Sequence, residues 1–364
     1  MTDQQTYLKP LASLQLIAVI IVVLFHLWLQ DLLFLGNACV SFCFVYSGYF
    51  TARRHRFDSA YGLKDHMRFM WSKLAKLYPL YVLALALCIL SAYQMGHIQT
   101  LNLKMVAAHL TLASPWIPYA GYYFGYNTVA WFVCVLIFLY LVAPLVVRFW
   151  RRVPLAWQVA LMLVLLALEF VGGFTTSDSD HGIWFYPYHM NQFPPIRLLE
   201  YSAGIIIFNF SQSAWWRERQ SRLTSRHATA VEVGALLLVL LLYPLCNQFL
   251  NAYCSRAFCS TFPLVITVMC AFVFTSGKGG AVSRALSVKP LTWLSSLNAE
   301  IYLLQLGVYF ALMPLFTKWG ITQYPILYFV MQFVSLFLVS WLVHRCYTLP
   351  LARLLTAGHR SESK

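Results

Sequence analysis

The chain has 364 residues, of which 60% are hydrophobic, 17% aromatic and only 10% charged. A water-soluble domain of this size could not cover its surface with so few charged side chains, so the composition excludes that class and indicates an integral membrane protein. The formal net charge is +14, and the positions of these charges decide whether they indicate nucleic-acid binding or membrane topology.

The chain contains ten apolar stretches, and each has about the length that a helix needs to cross a hydrocarbon core of ~30 Å. They cover residues 11–30, 36–52, 77–95, 128–147, 155–172, 196–211, 229–246, 258–276, 291–316 and 325–346. The first stretch is longer than the apolar region of an ordinary signal peptide and lacks a cleavage motif after it, so we expect it to remain as a helix. The predicted fold is all-α, a polytopic transmembrane bundle of about ten helices. We expect a single membrane domain over 1–350 and a short basic cytoplasmic tail over 351–364.

The lysines and arginines follow an alternating pattern. With the N-terminus in the cytoplasm, 22 of the 26 Lys and Arg residues fall in loops and ends on the cytoplasmic side. The positive-inside rule predicts such an asymmetry. Both termini are therefore predicted to be cytoplasmic, and we expect no nucleic-acid partner.

Polar side chains inside the spans are costly, so they are the first candidates for a functional site. His26 ends the first stretch, and Gln15 precedes it by eleven residues, which at ~100° per residue returns to within ~20° of the same helix face. Glu300 and Gln305 lie in the ninth stretch. We assign Glu232 a structural role, because a charge near a helix end can reach the interface. A transmembrane histidine such as His26 is by itself also consistent with a packed core residue.

The end of the second stretch combines small residues with cations. Ser47 and Gly48 let a neighbouring backbone or a slender ligand approach closely. Seven Lys and Arg residues lie in 53–76, and the candidates among them are Arg53, Arg54, Lys73 and Lys76. An ordinary positive-inside loop has this composition, and so does a clamp for the phosphates of an anionic carrier such as coenzyme A.

Two segments predicted to lie outside, 115–131 and 178–195, are crowded with aromatic residues beside Asn, Asp, His and Gln. Aromatic faces with nearby hydrogen-bonding groups suit a sugar, and an aromatic belt at the membrane interface has the same composition. The aromatic candidates are Trp116, Tyr122, Trp131, Trp184 and Tyr188.

Several segments together resemble the acyltransferase-3 family, whose multispanning members transfer acetyl or other acyl groups, commonly from a cytoplasmic acyl-CoA to sugars of envelope glycans. The matching segments are 15-QLIAVIIVVLFH-26, Ser47 to Phe50, Lys73 to Pro79, 131-WFVCVLIFLYLVAP-144, 197-RLLEYSAGI-205 and 301-IYLLQ-305. The third of these corresponds to an Arg-x-x-Arg segment before Tyr-Pro, and the fourth is similar to the Trp-Phe-Leu branch of the family. The chain departs from the family pattern at Ala12 for Asp, Gln15 for Arg, Lys73 and Lys76 for Arg, and Gln305 for His.

The resemblance implies a membrane O-acyltransferase of the bacterial inner membrane that moves an acetyl group from acetyl-CoA to a hydroxyl of an envelope or lipid-linked glycan. It implies no metal, and membrane lipids are the other expected partner. His26 would act as general base, with Glu300 or Gln15 orienting its ring. The implied donor site is Ser47, Gly48, Arg53, Arg54, Lys73 and Lys76. The implied acceptor site is Gln15, Trp116, Tyr122, Trp131, Trp184, Tyr188, Arg197 and Gln305.

Two other functions are consistent with the same residues. A transporter or flippase for a polar or sugar-linked substrate would use His26 and Glu300 in a proton relay. A catalytically inactive member acting as a scaffold would explain why Gln15 and Gln305 replace the family's Arg and His. Dependence on a proton gradient, or acyl-CoA binding without turnover, would distinguish these functions from acyl transfer.

Overall fold

A computed structural model describes residues 9–29, 33–175, 192–253, 258–276 and 279–357 of the chain. These residues form α-helices, with a few short 3-10 and π-helical segments, joined by turns and loops, and none of them lies in a β-strand. The helices are α1 Lys9–Leu27, α2 Leu33–Arg54, α3 Leu63–Gln94, α4 Leu103–Leu110, α5 Ala120–Tyr123, α6 Trp131–Arg152, α7 Leu155–Thr175, α8 Leu198–Ser211, α9 Ala214–Arg222, α10 Ser225–Tyr253, α11 Phe258–Ser276, α12 Ala281–Leu286, α13 Lys289–Leu294, α14 Asn298–Lys318, α15 Pro325–Val343 and α16 Leu349–Ala357.

The described part of each of the ten predicted stretches overlaps one of these helices, or two in succession, which confirms the polytopic helical bundle. Within the described residues, five helical stretches are long and apolar enough to cross a membrane. They are Lys9–Leu27, Leu63–Gln94, Trp131–Arg152, Lys289–Lys318 and Pro325–Ala357. The bent pair of α9 and α10 would make a sixth, and α7, α8 and α11 contribute shorter apolar segments. The total of about ten spans and the cytoplasmic termini stay predictions.

The chain divides into two compact units. The first consists of 1–60 and 142–296, and the second of 61–141 and 297–364. Helix α6 begins in the second unit and ends in the first. The prediction of one membrane domain followed by a tail stays a prediction, and the described part of that tail continues helix α16.

The first unit is built around α2, which packs against α1, α8 and α11. Its centre consists of apolar side chains such as Val23, Phe44, Val45 and Ile205, all of which are fully buried. Helices in lipid gain little from the hydrophobic effect, so close approach of small residues and polar contacts contribute more to their packing. Both kinds of contact occur between α2 and α8, where the functional candidates also cluster.

The second unit is built around α3 and α14, with α15 on α14 and α16 on α3. Gly307 allows α14 to pack closely against Leu87 and Cys88 of α3, and Ser91 donates a hydrogen bond to the Gly307 carbonyl over 3.3 Å. The indole of Trp71 donates to the Leu355 carbonyl over 2.8 Å. These bonds join α3 to α14 and to α16.

Candidate functional site

His26 lies in the last turn of α1 and is half-buried. Its Nδ1 atom is 2.8 Å from the carbonyl oxygen of Val22, one turn earlier. Because a carbonyl can only accept, this hydrogen bond requires the proton on Nδ1, and a neutral ring then carries its lone pair on Nε2. The backbone of α1 therefore holds the imidazole in the tautomer that can accept a proton through Nε2.

Gln15 and His26 share a face of α1 but do not touch. Eleven residues of α-helix separate them by roughly 16 Å along the axis. The side chain of Gln15 instead hydrogen-bonds with the Cys43 thiol of α2. Within α1 the ring of His26 is therefore oriented by the Val22 carbonyl rather than by Gln15. Orientation of the ring by Glu300 stays a prediction.

Gly48 lies at the crossing of α2 and α8. A methyl group at Gly48 would overlap the carbonyl of Tyr201, and one at Gly204 would overlap the carbonyl of Val45. The sequence predicts that either a neighbouring backbone or a slender ligand approaches Ser47 and Gly48 closely. At Gly48 the structure shows the approach of a backbone. Ser47 beside it is buried. A role for these two residues in donor binding stays a prediction.

The cations at the end of α2 lie in a loop that two arginines of α6 hold in place. Arg148 donates from Nε to the Phe57 carbonyl over 2.7 Å and from Nη2 to the Asp58 carbonyl over 2.6 Å. Arg151 donates to the carbonyls of Ala52, over 2.8 Å, and of Arg56. Charged donors on carbonyls at a helix C-terminus are stabilising, because that end carries partial negative charge.

This loop presents a fixed basic surface in the first unit. Arg54 and Arg56 are exposed, whereas Arg53 is half-buried and hydrogen-bonds with the Tyr49 hydroxyl. Arg54 also packs on the ring of Phe50, with 5.1 Å from Cζ to the ring centroid. Guanidinium groups on a backbone fixed in this way suit a phosphate, which they can bind with two parallel hydrogen bonds.

Arg197 is buried beside a carboxylate that the sequence analysis did not single out. It forms a salt bridge with Glu200 one turn later on α8, and each side chain is 4% exposed. Ser41 of α2 donates to the same carboxylate oxygen over 2.5 Å, while the other oxygen, Oε2, accepts no hydrogen bond from any described residue. The arginine predicted to bind the acceptor is therefore neutralised within the protein.

In the second unit, Glu300 is buried at 2% exposure and its Oε1 lies 2.8 Å from Nδ1 of His344. Gln305, one and a half turns further along α14, is also buried and donates from Nε2 to the Tyr302 carbonyl over 2.7 Å. Its Oε1 has no hydrogen-bond partner among the described residues. The structure thus pairs Glu300 with a histidine, but with His344 of its own unit.

The predicted lysine pair lies on α3. The Lys73 ammonium is 4.7 Å from the ring centroid of Tyr140 and 5.1 Å from that of Phe69, a geometry typical of cation–π contacts. Lys76 is exposed. Both remain candidates for phosphate binding in the second unit.

The aromatic residues predicted to lie outside differ in their exposure. Trp116 is 41% exposed and packs edge-on against Phe138, Tyr122 is half-buried, and Trp131 is buried. Asn127, which the sequence analysis passed over, donates to the Leu303 carbonyl over 3.1 Å and ties this segment to α14. Trp184 and Tyr188 lie outside the described residues.

Three groups were missed by the sequence analysis: Arg148 and Arg151, Glu200, and Asn127. The arginines were counted only as topological charge, and their partners lie over 90 positions away in the chain. Glu200 could have been found in the sequence, because it is an acid that follows an arginine by three residues in an apolar helix.

Glu232 has the structural role assigned to it, because its carboxylate accepts hydrogen bonds from the backbone N–H groups of Gly280, Val282 and Ser283.

Comparison with known proteins gives three findings. The family described as "Acyltransferase domain" matches residues 11–345. Acyltransferase MdmB of Streptomyces mycarofaciens is 26% identical over 199 residues, which are 50% of this chain and 49% of that protein. The chain thus spans about half the length of the curated relative it matches. No solved structure matches the chain.

Proposed function

The chain belongs to the acyltransferase-3 family, and from that premise we propose that it transfers an acetyl group from acetyl-CoA to a hydroxyl of an envelope or lipid-linked glycan. The proposed location is the bacterial inner membrane. The observation that carries the proposal is the hydrogen bond between His26 and the Val22 carbonyl, because it supplies a fixed proton acceptor on a membrane helix.

The chemistry requires one group that takes and then returns a proton. Nε2 of His26 removes the proton of the acceptor hydroxyl while the oxygen attacks the thioester carbonyl carbon. The tetrahedral adduct collapses, the carbon–sulfur bond breaks, and the coenzyme A sulfur takes the proton from the imidazolium. Throughout these steps the Val22 carbonyl keeps Nδ1 protonated and stabilises the transient positive charge.

The donor phosphates would bind to the basic loop at the end of α2. Arg53 and Arg54 are the predicted contacts, and Arg148 and Arg151 support them by holding the loop carbonyls. Lys73 and Lys76 of the second unit stay predictions from the sequence. The acceptor residues of the proposal are those predicted from the sequence.

The test removes the proposed base while it keeps the hydrogen bond that orients the side chain. His26→Asn keeps an N–H donor close to the position of Nδ1, so the bond to Val22 is retained, but it removes the Nε2 base. With the purified full chain, radiolabelled acetyl-CoA and an envelope glycan acceptor, this variant is expected to lose about 10²- to 10⁴-fold in turnover while its binding of acetyl-CoA is unchanged. His97→Asn, at an exposed loop position, is the matched control. Turnover by His26→Asn equal to that of the control would refute the assignment of the base.

A transporter or flippase is the second candidate, and the buried pair of Glu300 and His344 favours it. Carboxylate–histidine pairs inside membrane proteins are a common part of proton relays. Substrate uptake into vesicles that depends on a proton gradient and not on acetyl-CoA would support this function. Retained acetyl-CoA binding without turnover on any glycan would indicate a scaffold instead.

A further inference from the structure

A cavity of about 710 Å³ opens on the first unit where α9, the start of α10 and α11 meet. Its lining includes Trp215, Trp216, Arg219, Arg222, Val231 and Phe272. The wall is mostly aromatic and aliphatic, and the charged groups come mainly from one helix. It is built from elements that the proposed acyl transfer does not use.

Helix α9 has the features of a helix at a membrane interface. It is bent by 109° from the apolar helix α10 after a short break, and none of its residues is buried. Trp215 and Trp216 lie near its start, and Trp216 packs against Phe272 of α11 with 4.9 Å between ring centroids. Tryptophan and arginine on a short helix that leaves an apolar helix at a steep angle are typical of the headgroup region.

The charges of the cavity favour an anion. Three charged side chains of α9 line the cavity, Glu218, Arg219 and Arg222, and together they carry a net charge of +1. The Arg219 guanidinium stacks on Trp215 with 4.2 Å to the ring centroid and has no carboxylate partner among the described residues. Arg222 pairs with Glu218 over 2.6 Å, but both side chains are mostly exposed, so the pair is weak and exchangeable.

One further acid, Glu232, lines the cavity, but its charge does not repel an anion bound there. Glu232 is 2% exposed, and its two oxygens accept hydrogen bonds from the N–H groups of Gly280, Val282 and Ser283 and from the Ser283 hydroxyl. Its negative charge is therefore compensated at the start of α12. The open side of the cavity is therefore formed by the arginines and the aromatic side chains.

We propose that this cavity binds an anionic phospholipid. The phosphate lies between Arg219 and Arg222, and the upper part of the acyl chains lies against Val231 and Phe272. A soluble phosphate would use only the arginines, whereas the apolar wall beside them requires a ligand with a hydrocarbon part. The protein would thus hold a lipid of defined charge at a site separate from its proposed donor loop.

Native mass spectrometry of the purified full chain tests this, with phosphatidylglycerol, phosphatidylcholine and inorganic phosphate as probes. The protein is expected to retain phosphatidylglycerol in preference to phosphatidylcholine, and inorganic phosphate is expected not to displace it. Arg219→Gln and Arg222→Gln are each expected to weaken retention about fivefold, the usual effect of one interfacial arginine. Val231→Trp, which fills the apolar side, is expected to abolish it.

The controls lie on the same helices outside the cavity. Arg217→Gln removes the same charge from α9 at a side chain that bonds to Gln212, and Val233→Trp adds the same bulk to α10 at an exposed position. Both are expected to bind phosphatidylglycerol as the wild type does. Equal retention of the two lipids, displacement by inorganic phosphate, or equal losses in Arg217→Gln and Arg219→Gln would overturn the proposal.

Discussion

Gly48 of α2 and Gly204 of α8 each leave room for the backbone of the other helix. The carbonyl of Tyr201 occupies the place of a side chain at Gly48, and the carbonyl of Val45 occupies that place at Gly204. In a membrane such crossings replace the hydrophobic effect as the source of helix association. This contact fixes α8, and with it Arg197 and Glu200, against the helix that carries the basic loop.

Alanine at Gly48 or Gly204 is therefore expected to destabilise the protein by about 1–3 kcal/mol, because the methyl group meets a carbonyl that belongs to a helix backbone and cannot move alone. Thermal unfolding in detergent measures this. Gly234→Ala is the control, since a Cβ there meets nothing within 4 Å and helix propensity predicts a small gain of about 0.5–1 kcal/mol. Equal midpoints for Gly48→Ala and Gly234→Ala would contradict the close crossing.

Removal of Arg151 is expected to release the basic loop. Arg151→Gln loses charge-assisted hydrogen bonds to the carbonyls of Ala52 and Arg56, each of which contributes about 1.5–3 kcal/mol to local order. Trypsin is then expected to cleave after Arg54 and Arg56 at least about tenfold faster, since cleavage requires local opening. Binding of acetyl-CoA is expected to weaken in parallel.

The matched control for the loop is Arg152→Gln. Arg152 is the next residue of α6, is exposed and carries the same charge. If the loop is held by specific bonds, this variant is cleaved at the wild-type rate. If both variants are cleaved equally fast, the effect is one of net charge, and the proposed support of the loop by Arg151 is wrong.

Glu300 and His344 are expected to behave as a coupled pair. His344→Leu leaves the Glu300 carboxylate buried at 2% exposure without its partner, which is expected to cost about 3 kcal/mol. Adding Glu300→Leu to that variant is expected to restore part of the loss. Thermal unfolding of both single variants and the double variant gives the coupling energy.

An exposed neighbour, Arg345, serves as the control for this cycle. Arg345→Leu removes a charge at the adjacent position and is expected to change stability by less than about 0.5 kcal/mol. Additive losses in the double variant would show that Glu300 and His344 do not interact in solution.

The helices were predictable because lipid leaves the backbone few alternatives to helices. The choice of His26 was predictable from its polarity, and its partner Val22 lies only four residues away, within reach of any helical histidine. The partners of Arg148 and Arg151 were not predictable, since those contacts depend on how α6 packs beside the end of α2. The same is true of Ser41, which meets Glu200 across 159 positions of the chain.

The second unit has a buried histidine that should make the free energy of unfolding depend on pH. His109, on the short helix α4 outside the predicted spans, has a fully buried side chain, and this burial lowers its pKa from 6.5 to about 4. The folded protein therefore keeps His109 neutral, and its full contribution to stability is present above pH 6.5. As the pH falls towards 4, the unfolded chain binds a proton that the folded chain does not, so stability decreases by about 1.4 kcal/mol per pH unit.

His109→Gln removes this titration, and its unfolding midpoint should fall less between pH 6.5 and 4.5 than that of the wild type. His97→Gln, at an exposed position, should follow the wild type, and a His109→Gln curve parallel to both would show that His109 is protonated in the folded state.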